Sequence, residues 1–372
     1  MVRLGIDARK LADFGIGSYL RGLLGELATC DMPGDTVVFV APESRSLLPE
    51  LPPGWRIVEV DAPGYSLKEQ AALPLAALRA GVRVLHVPHY VVPMLFPGRL
   101  VVTIHDIIHV LFPEFLPSNI GFAYARFFIQ AAVRRARWVI TVSETTARDL
   151  RRLFRAPAEH LRVVPHGVDE IFLAPADERV DEQARARFGV AHPYLLHVGN
   201  HKPHKNAEGL LKAYQALVHD GRGEVPPLVM VGGFKPDGEL AQRSVAMGLG
   251  GRVRCLGHVT RPELVALFHG ATLFLYPTLY EGFGLPVLEA MACGVPVVAG
   301  DIMAVREVAG DAVIRVNPRD VMDLAGETRR LLEHAELRQQ LVDKGRKRAQ
   351  SFSWRQAAES TLDIYRAVAA EA

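Results

Sequence analysis

The stretch Tyr276-Pro277-Thr278-Leu279-Tyr280-Glu281-Gly282-Phe283-Gly284-Leu285-Pro286-Val287-Leu288-Glu289 passes from strand to glycine turn to helix. The apolar run Leu273–Tyr276 reads as the strand. Pro286 suits the first turn of a helix, where its missing N–H is harmless. That helix is expected to run to about Cys293 and stop at Gly294. Gly282 and Gly284 then stand just before a helix N-terminus. Glycine lets the backbone come close to a ligand there, and free amides with the helix dipole make an anion site.

Glu281 lies at the mouth of this turn and Glu289 one turn into the helix. A carboxylate accepts two hydrogen bonds at once. That suits vicinal diols, a hexose at one end of a ligand and a ribose at the other. The plainer reading of Glu281 is a favourable interaction with the helix dipole.

Outward from this motif, short Val/Ile-rich runs alternate with helical patterns. Strands are expected at Leu4–Ile6, Val37–Val40, Arg56–Val60, Val84–Val87, Leu100–Ile104 and Trp138–Val142, apolar on both faces as covered parallel strands are. Helices fit Tyr19–Ala28 and Ser118–Ala136. The pattern restarts with strands at Tyr194–Val198, Leu228–Val231, Arg252–Leu256, Leu273–Tyr276, Val295–Val298 and Ala312–Val316, and a helix from about Ala207 to Val218. The break is the Pro/Gly turn Val164-Pro165-His166-Gly167-Val168-Asp169, read as lying between two apolar strands. Pro175–Arg187 reads as a surface connection with a short helix. The fold class is α/β, with two Rossmann-like, doubly wound domains, 1–166 and 167–352, followed by a closing helix, 353–372. Such halves would face each other across a crevice.

Composition agrees with two folded domains. The chain has 372 residues, with 43 Lys plus Arg against 41 Asp plus Glu and a formal charge of +2, which argues against a polycation built for nucleic acid. Cys30, Cys255 and Cys293 are far apart, so neither a disulfide framework nor a cysteine zinc site is expected. No stretch reaches the roughly 18 apolar residues of a membrane span, and the charged N-terminus does not read as a secretory leader. A reducing cytoplasm is the expected location.

Glu281 and Glu289 match the E-x7-E motif of retaining glycosyltransferases, and the run from Glu281 to Ala292 resembles family 4 glycosyltransferases of the GT-B fold. The resemblance covers nearly the whole chain. It implies that Glu281 lies by the donor sugar and Glu289 holds the nucleotide ribose, while the turn of Gly282, Phe283, Gly284 and Leu285 meets the donor sugar and phosphates. It matches Lys205 to the family's diphosphate-binding lysine. Where the family often has an arginine, this chain has Asn200, and His204 or Lys202 would supply part of the missing charge. His258 and Val259 would border the nucleobase. Gly15 and Gly17 would cover the donor from the other domain, and His105 would approach the sugar. His105, Glu281 and Lys205 are thus the expected catalytic residues.

The resemblance further implies same-face transfer with the donor phosphate helping to deprotonate the acceptor, and no required metal. Gly5-Ile6-Asp7-Ala8-Arg9, the Gly15–Tyr19 segment and Lys202-Pro203-His204-Lys205-Asn206 look most like mannosyltransferases using GDP-mannose. A UDP-hexose is the other donor. The expected function is transfer of a hexose to a glycan or lipid-linked acceptor in polysaccharide biosynthesis. Arg134, Arg135 and Arg137, with Arg148, Arg151, Arg152 and Arg155 on the next helix, suggest peripheral contact with the inner face of the cytoplasmic membrane. They equally fit a solvated helix face. Three rivals remain: a sugar-nucleotide epimerase or hydrolase, a nicotinamide oxidoreductase, and an inactive carbohydrate-binding protein. Leu20 at the third fingerprint position weighs against the oxidoreductase.

Overall fold

The computed structural model describes residues 2–64, 66–116 and 119–371. The chain divides into two compact units, Met1–Gly167 with Phe352–Ala372, and Val168–Ser351. Among the described residues, no helix is long and apolar enough to cross a membrane.

The first unit is built on seven parallel strands: β1 (Leu4–Asp7), β2 (Thr36–Val40), β3 (Arg56–Glu59), β4 (Val84–Val87), β5 (Arg99–Ile104), β6 (Ala136–Thr141) and β7 (Leu161–Val163). Their order is β3-β2-β1-β4-β5-β6-β7. The central strands are buried on both faces, which their Val/Ile/Leu runs require. The edge strand β3 departs from the expected apolar pattern: Arg56, Ile57 and Glu59 are exposed, as a strand paired on one side only permits. The other edge strand, β7, has a charged centre, Arg162, and too few residues to announce itself in sequence. After the Pro/Gly turn the chain does not enter a strand at once. Asp169 accepts a hydrogen bond from the Ile171 amide and caps a single helical turn, Glu170–Leu173.

Helix Phe14–Leu27 packs against the closing helix Trp354–Ala370. A Cβ on Gly22 would lie 2.3 Å from the Trp354 ring, so only glycine lets the two helices meet this closely. Leu20, Leu23 and Leu24 are sealed beneath Ala358, Leu362 and Tyr365. Ser353 caps the closing helix through the Arg355 amide.

The second unit repeats the plan with six parallel strands: β8 (Leu195–Gly199), β9 (Leu228–Gly232), β10 (Val253–Gly257), β11 (Leu273–Tyr276), β12 (Val297–Gly300) and β13 (Ile314–Val316). The order β10-β9-β8-β11-β12-β13 reverses direction between β8 and β11. Open α/β sheets bind ligands outside the carboxyl ends of the strands at such a reversal. In this unit the place is the pair of loops that follow β8 and β11.

Candidate active site

The loop after β8 ends in a tight turn, Pro203–Lys205, and enters helix Ala207–His219 through Asn206, whose φ is +56°. An asparagine tolerates this left-handed conformation better than most residues. Its side-chain amide donates to the Pro277 carbonyl at 3.0 Å and the Pro318 carbonyl at 2.6 Å. One side chain thus ties together the loops that follow β8, β11 and β13. The Leu279 amide donates to the His204 carbonyl at 2.7 Å and completes the join.

This join brings Lys205 onto the glutamate of the motif. Lys205 Nζ donates to Glu281 Oε1 at 2.7 Å and to Tyr276 Oη at 3.3 Å. Tyr276 Oη donates to the same Oε1 at 2.8 Å, and Thr278 Oγ1 also lies 2.8 Å from it. Three groups therefore fix one carboxylate oxygen, while Oε2 takes no hydrogen bond among the described residues. Burial alone would push the Glu281 carboxyl up. The Lys205 charge and hydrogen bond, the nearby His204 and the Thr278 hydroxyl outweigh it and hold Glu281 below its ordinary range. Glu281 is ionised at neutral pH with one oxygen left for a ligand hydroxyl. An ammonium has three donors, so Lys205 keeps one for an incoming anion.

Downstream, Gly284 has φ +102° and caps helix Leu285–Ala292, a conformation that a side chain at this position would strain. The Gly282 and Gly284 amides make no hydrogen bond among the described residues. They supply donors at the positive end of the helix. Glu289 sits in this helix near Arg261 and Asp169, which are themselves ion-paired. Arg261 also lies over the Phe172 ring, 5.8 Å from its centroid. Burial raises the Glu289 carboxyl to about 7; the Asp169 charge adds to this and Arg261 opposes it. No hydrogen bond satisfies the Glu289 carboxyl among the described residues, so it is a half-buried acceptor awaiting a donor pair.

The remaining expected residues occupy the same strand ends. Asn200 accepts a hydrogen bond from the Lys202 amide at 3.0 Å, so it shapes the loop and brings no charge in place of an arginine. His204 is buried. His258 is exposed and Val259 half-buried in the loop after β10. Tyr276, Thr278, Asn206 and Arg261 were not singled out as functional from sequence. Their signal is position: two lie in or just after β11, and two begin or precede a helix after a strand.

His105, Gly15 and Gly17 belong to the first unit. Gly15 and Gly17 lie in the first turn of helix Phe14–Leu27, so the chain begins to wind before the expected start at Tyr19. A Cβ on Gly17 would lie 2.3 Å from the Leu11 carbonyl oxygen, whereas one on Gly15 would meet nothing within 4 Å. Gly17 is thus required for packing, and Gly15 leaves open space at the helix start. His105, at the end of β5, lies 3.2 Å from the Pro88 carbonyl through Nε2. Burial lowers its pKa to about 4. The ring is therefore neutral at pH 7, with Nε2–H donating and Nδ1 left as an acceptor. Its ring stands edge-on to Tyr19 at 4.9 Å. His86 is instead buried between Thr103 at 2.8 Å and Tyr365 at 2.5 Å, a structural position.

Residues 15–172 match the family model described as Glycosyltransferase Family 4, and residues 180–348 match that of Glycosyl transferases group 1. The O-antigen chain mannosyltransferase B of Escherichia coli is 32% identical over 286 residues, covering 76% of this chain and 73% of that protein. The chain belongs to glycosyltransferase family 4. This glycosyltransferase is also 33% identical over 245 residues to the MMP alpha-(1->4)-mannosyltransferase of Mycolicibacterium hassiacum, which covers 64% of this chain and 56% of that relative. Its fold is GT-B. A sucrose-phosphate synthase from Thermosynechococcus elongatus superposes with a TM-score of 0.81 at 22% identity, over 100% of both chains.

Proposed function

We propose that this glycosyltransferase moves mannose from GDP-mannose to a glycan or lipid-linked acceptor with retention of anomeric configuration. The bond from C1 to the β-phosphate oxygen breaks, a bond from C1 to the acceptor oxygen forms on the same face, and the acceptor proton goes to the departing diphosphate. The observation that carries the reading is the single oxygen of Glu281 fixed by Lys205, Tyr276 and Thr278 beside unbonded glycine amides. Negative charge grows on the leaving diphosphate in such a transfer. The remaining Lys205 donor and the Gly282 and Gly284 amides would meet that charge at fixed positions, and fixed donors need no reorganisation as the charge develops. Glu281 Oε2 would orient a sugar hydroxyl, and Glu289 would receive the ribose diol. The mannosyl donor is favoured by the mannosyltransferase names of the relatives and by the Lys202–Asn206 turn.

A thermal-shift series with GDP, UDP, ADP and their sugar conjugates tests the donor. Stabilisation by GDP and GDP-mannose is expected. Stabilisation by the uridine pair alone would overturn the donor assignment. NMR of the product anomeric proton then reads the stereochemistry, and an inverted linkage would contradict same-face transfer. Release of free sugar as the sole product, even with acceptors supplied, would favour a hydrolase.

A further inference from the structure

A groove of about 930 Å³ opens in the first unit between the carboxyl ends of helices Asn119–Arg135 and Glu144–Phe154 and the starts of β5 and β6. It lies at the amino ends of the strands. His105 closes the far end of β5, about 17 Å away for a strand of this length. Ligands of the transfer reaction gather at carboxyl ends, so this groove has no part in that site.

Among the described residues, seven arginines and no acidic side chain line the groove. Three are already engaged. Arg137 pairs with Glu371 at 2.6 Å, Arg99 lies 3.5 Å from the same carboxylate, and Arg135 donates to the Met94 and Phe96 carbonyls. The side chains of the other four, Arg126, Arg134, Arg152 and Arg155, are exposed and have no hydrogen-bond or ion-pair partner among the described residues. The whole chain carries only +2, so this is a local concentration of charge and not a reflection of composition. Helix carboxyl ends attract cations, which accounts for one or two arginines in each last turn. It does not account for Arg155, which holds a left-handed conformation, φ +52°, at the helix end, where glycine would be unstrained. The four guanidinium groups that lack a carboxylate partner repel one another until an anion enters. Their planar forks match phosphate oxygens in pairs.

We propose that this groove is a second anion site, separate from the sugar-nucleotide site, which takes a ligand bearing clustered phosphate groups. Calorimetric titration of the full chain with tripolyphosphate, alongside co-sedimentation with phosphatidylcholine vesicles with and without phosphatidic acid, tests it and separates the sources. The variants are Arg152→Gln with Arg155→Gln, and Arg134→Gln. Tripolyphosphate binding weakened at least roughly tenfold in the double variant is expected and would mark a soluble phosphate as the source. Binding confined to phosphatidic acid vesicles, with the same dependence on the arginines, would support the site with a headgroup as its source. Binding unchanged in the variants, or absent in both arms, would overturn the proposal. An unaltered nucleotide-induced thermal shift in the variants confirms that the fold and the donor site are intact.

Discussion

Burial raises the Glu289 carboxyl to about 7, against 4.5 for the free side chain. Between these values the folded chain holds a proton that the unfolded chain has lost, so stability falls as pH rises through the window. The penalty above pH 7 is on the order of 3 kcal/mol. Glu289→Gln should therefore melt at a higher temperature than the parent at pH 8 and at nearly the same temperature at pH 4. Parallel melting curves across that range would contradict the assignment. Glu281 runs the opposite way. Held low by Lys205 in spite of burial, it adds stability above the unfolded carboxyl pKa and loses it in acid. Lys205→Ala removes the ammonium but leaves Tyr276 and Thr278 on Oε1. A fall in turnover of at least about a hundredfold is expected from losing one transition-state donor. Near-normal turnover would remove Lys205 from the proposed mechanism.

At the level of elements, the site depends on how three loops are tied. Asn206→Ala should lower stability by about 1–3 kcal/mol, because the Pro277 and Pro318 carbonyls lose their shared donor. Asn206→Gly relieves the left-handed backbone without restoring the bonds, so it should lose turnover as well; parental activity in the glycine variant would show that the tie is dispensable. The strands were legible because buried parallel strands leave little choice but Val, Ile and Leu: Leu273–Tyr276 agrees at both ends. The glycine turn and Pro286 were legible because few residues fit there. The first helix begins at Phe14 and not at the expected Tyr19, since glycines within a first helical turn look in sequence like a loop. The hydrogen bond from Lys205 to Glu281 spans 76 residues of chain, and no local pattern reports such a meeting. Tyr276 and Thr278 passed for strand and loop residues because their hydroxyls acquire meaning only once Oε1 is between them.

For the whole molecule, each unit carries its own core, and the first borrows its last layer from the chain's far end. Removing residues 352–372 would expose Leu20, Leu23 and Leu24. Hydrogen exchange should then quicken across β1, β2 and β4 while β8 to β13 keep their protection; unchanged protection in the first unit would contradict this division of labour. The donor site, by contrast, is assigned entirely to the second unit, at the reversal between β8 and β11. Calorimetric titration of the intact chain and of Glu289→Gln with GDP measures that assignment most directly. The parent should bind stoichiometrically, with affinity falling at least roughly tenfold in the variant as the ribose loses its paired acceptor. Equal affinity in the two proteins would place the nucleotide elsewhere.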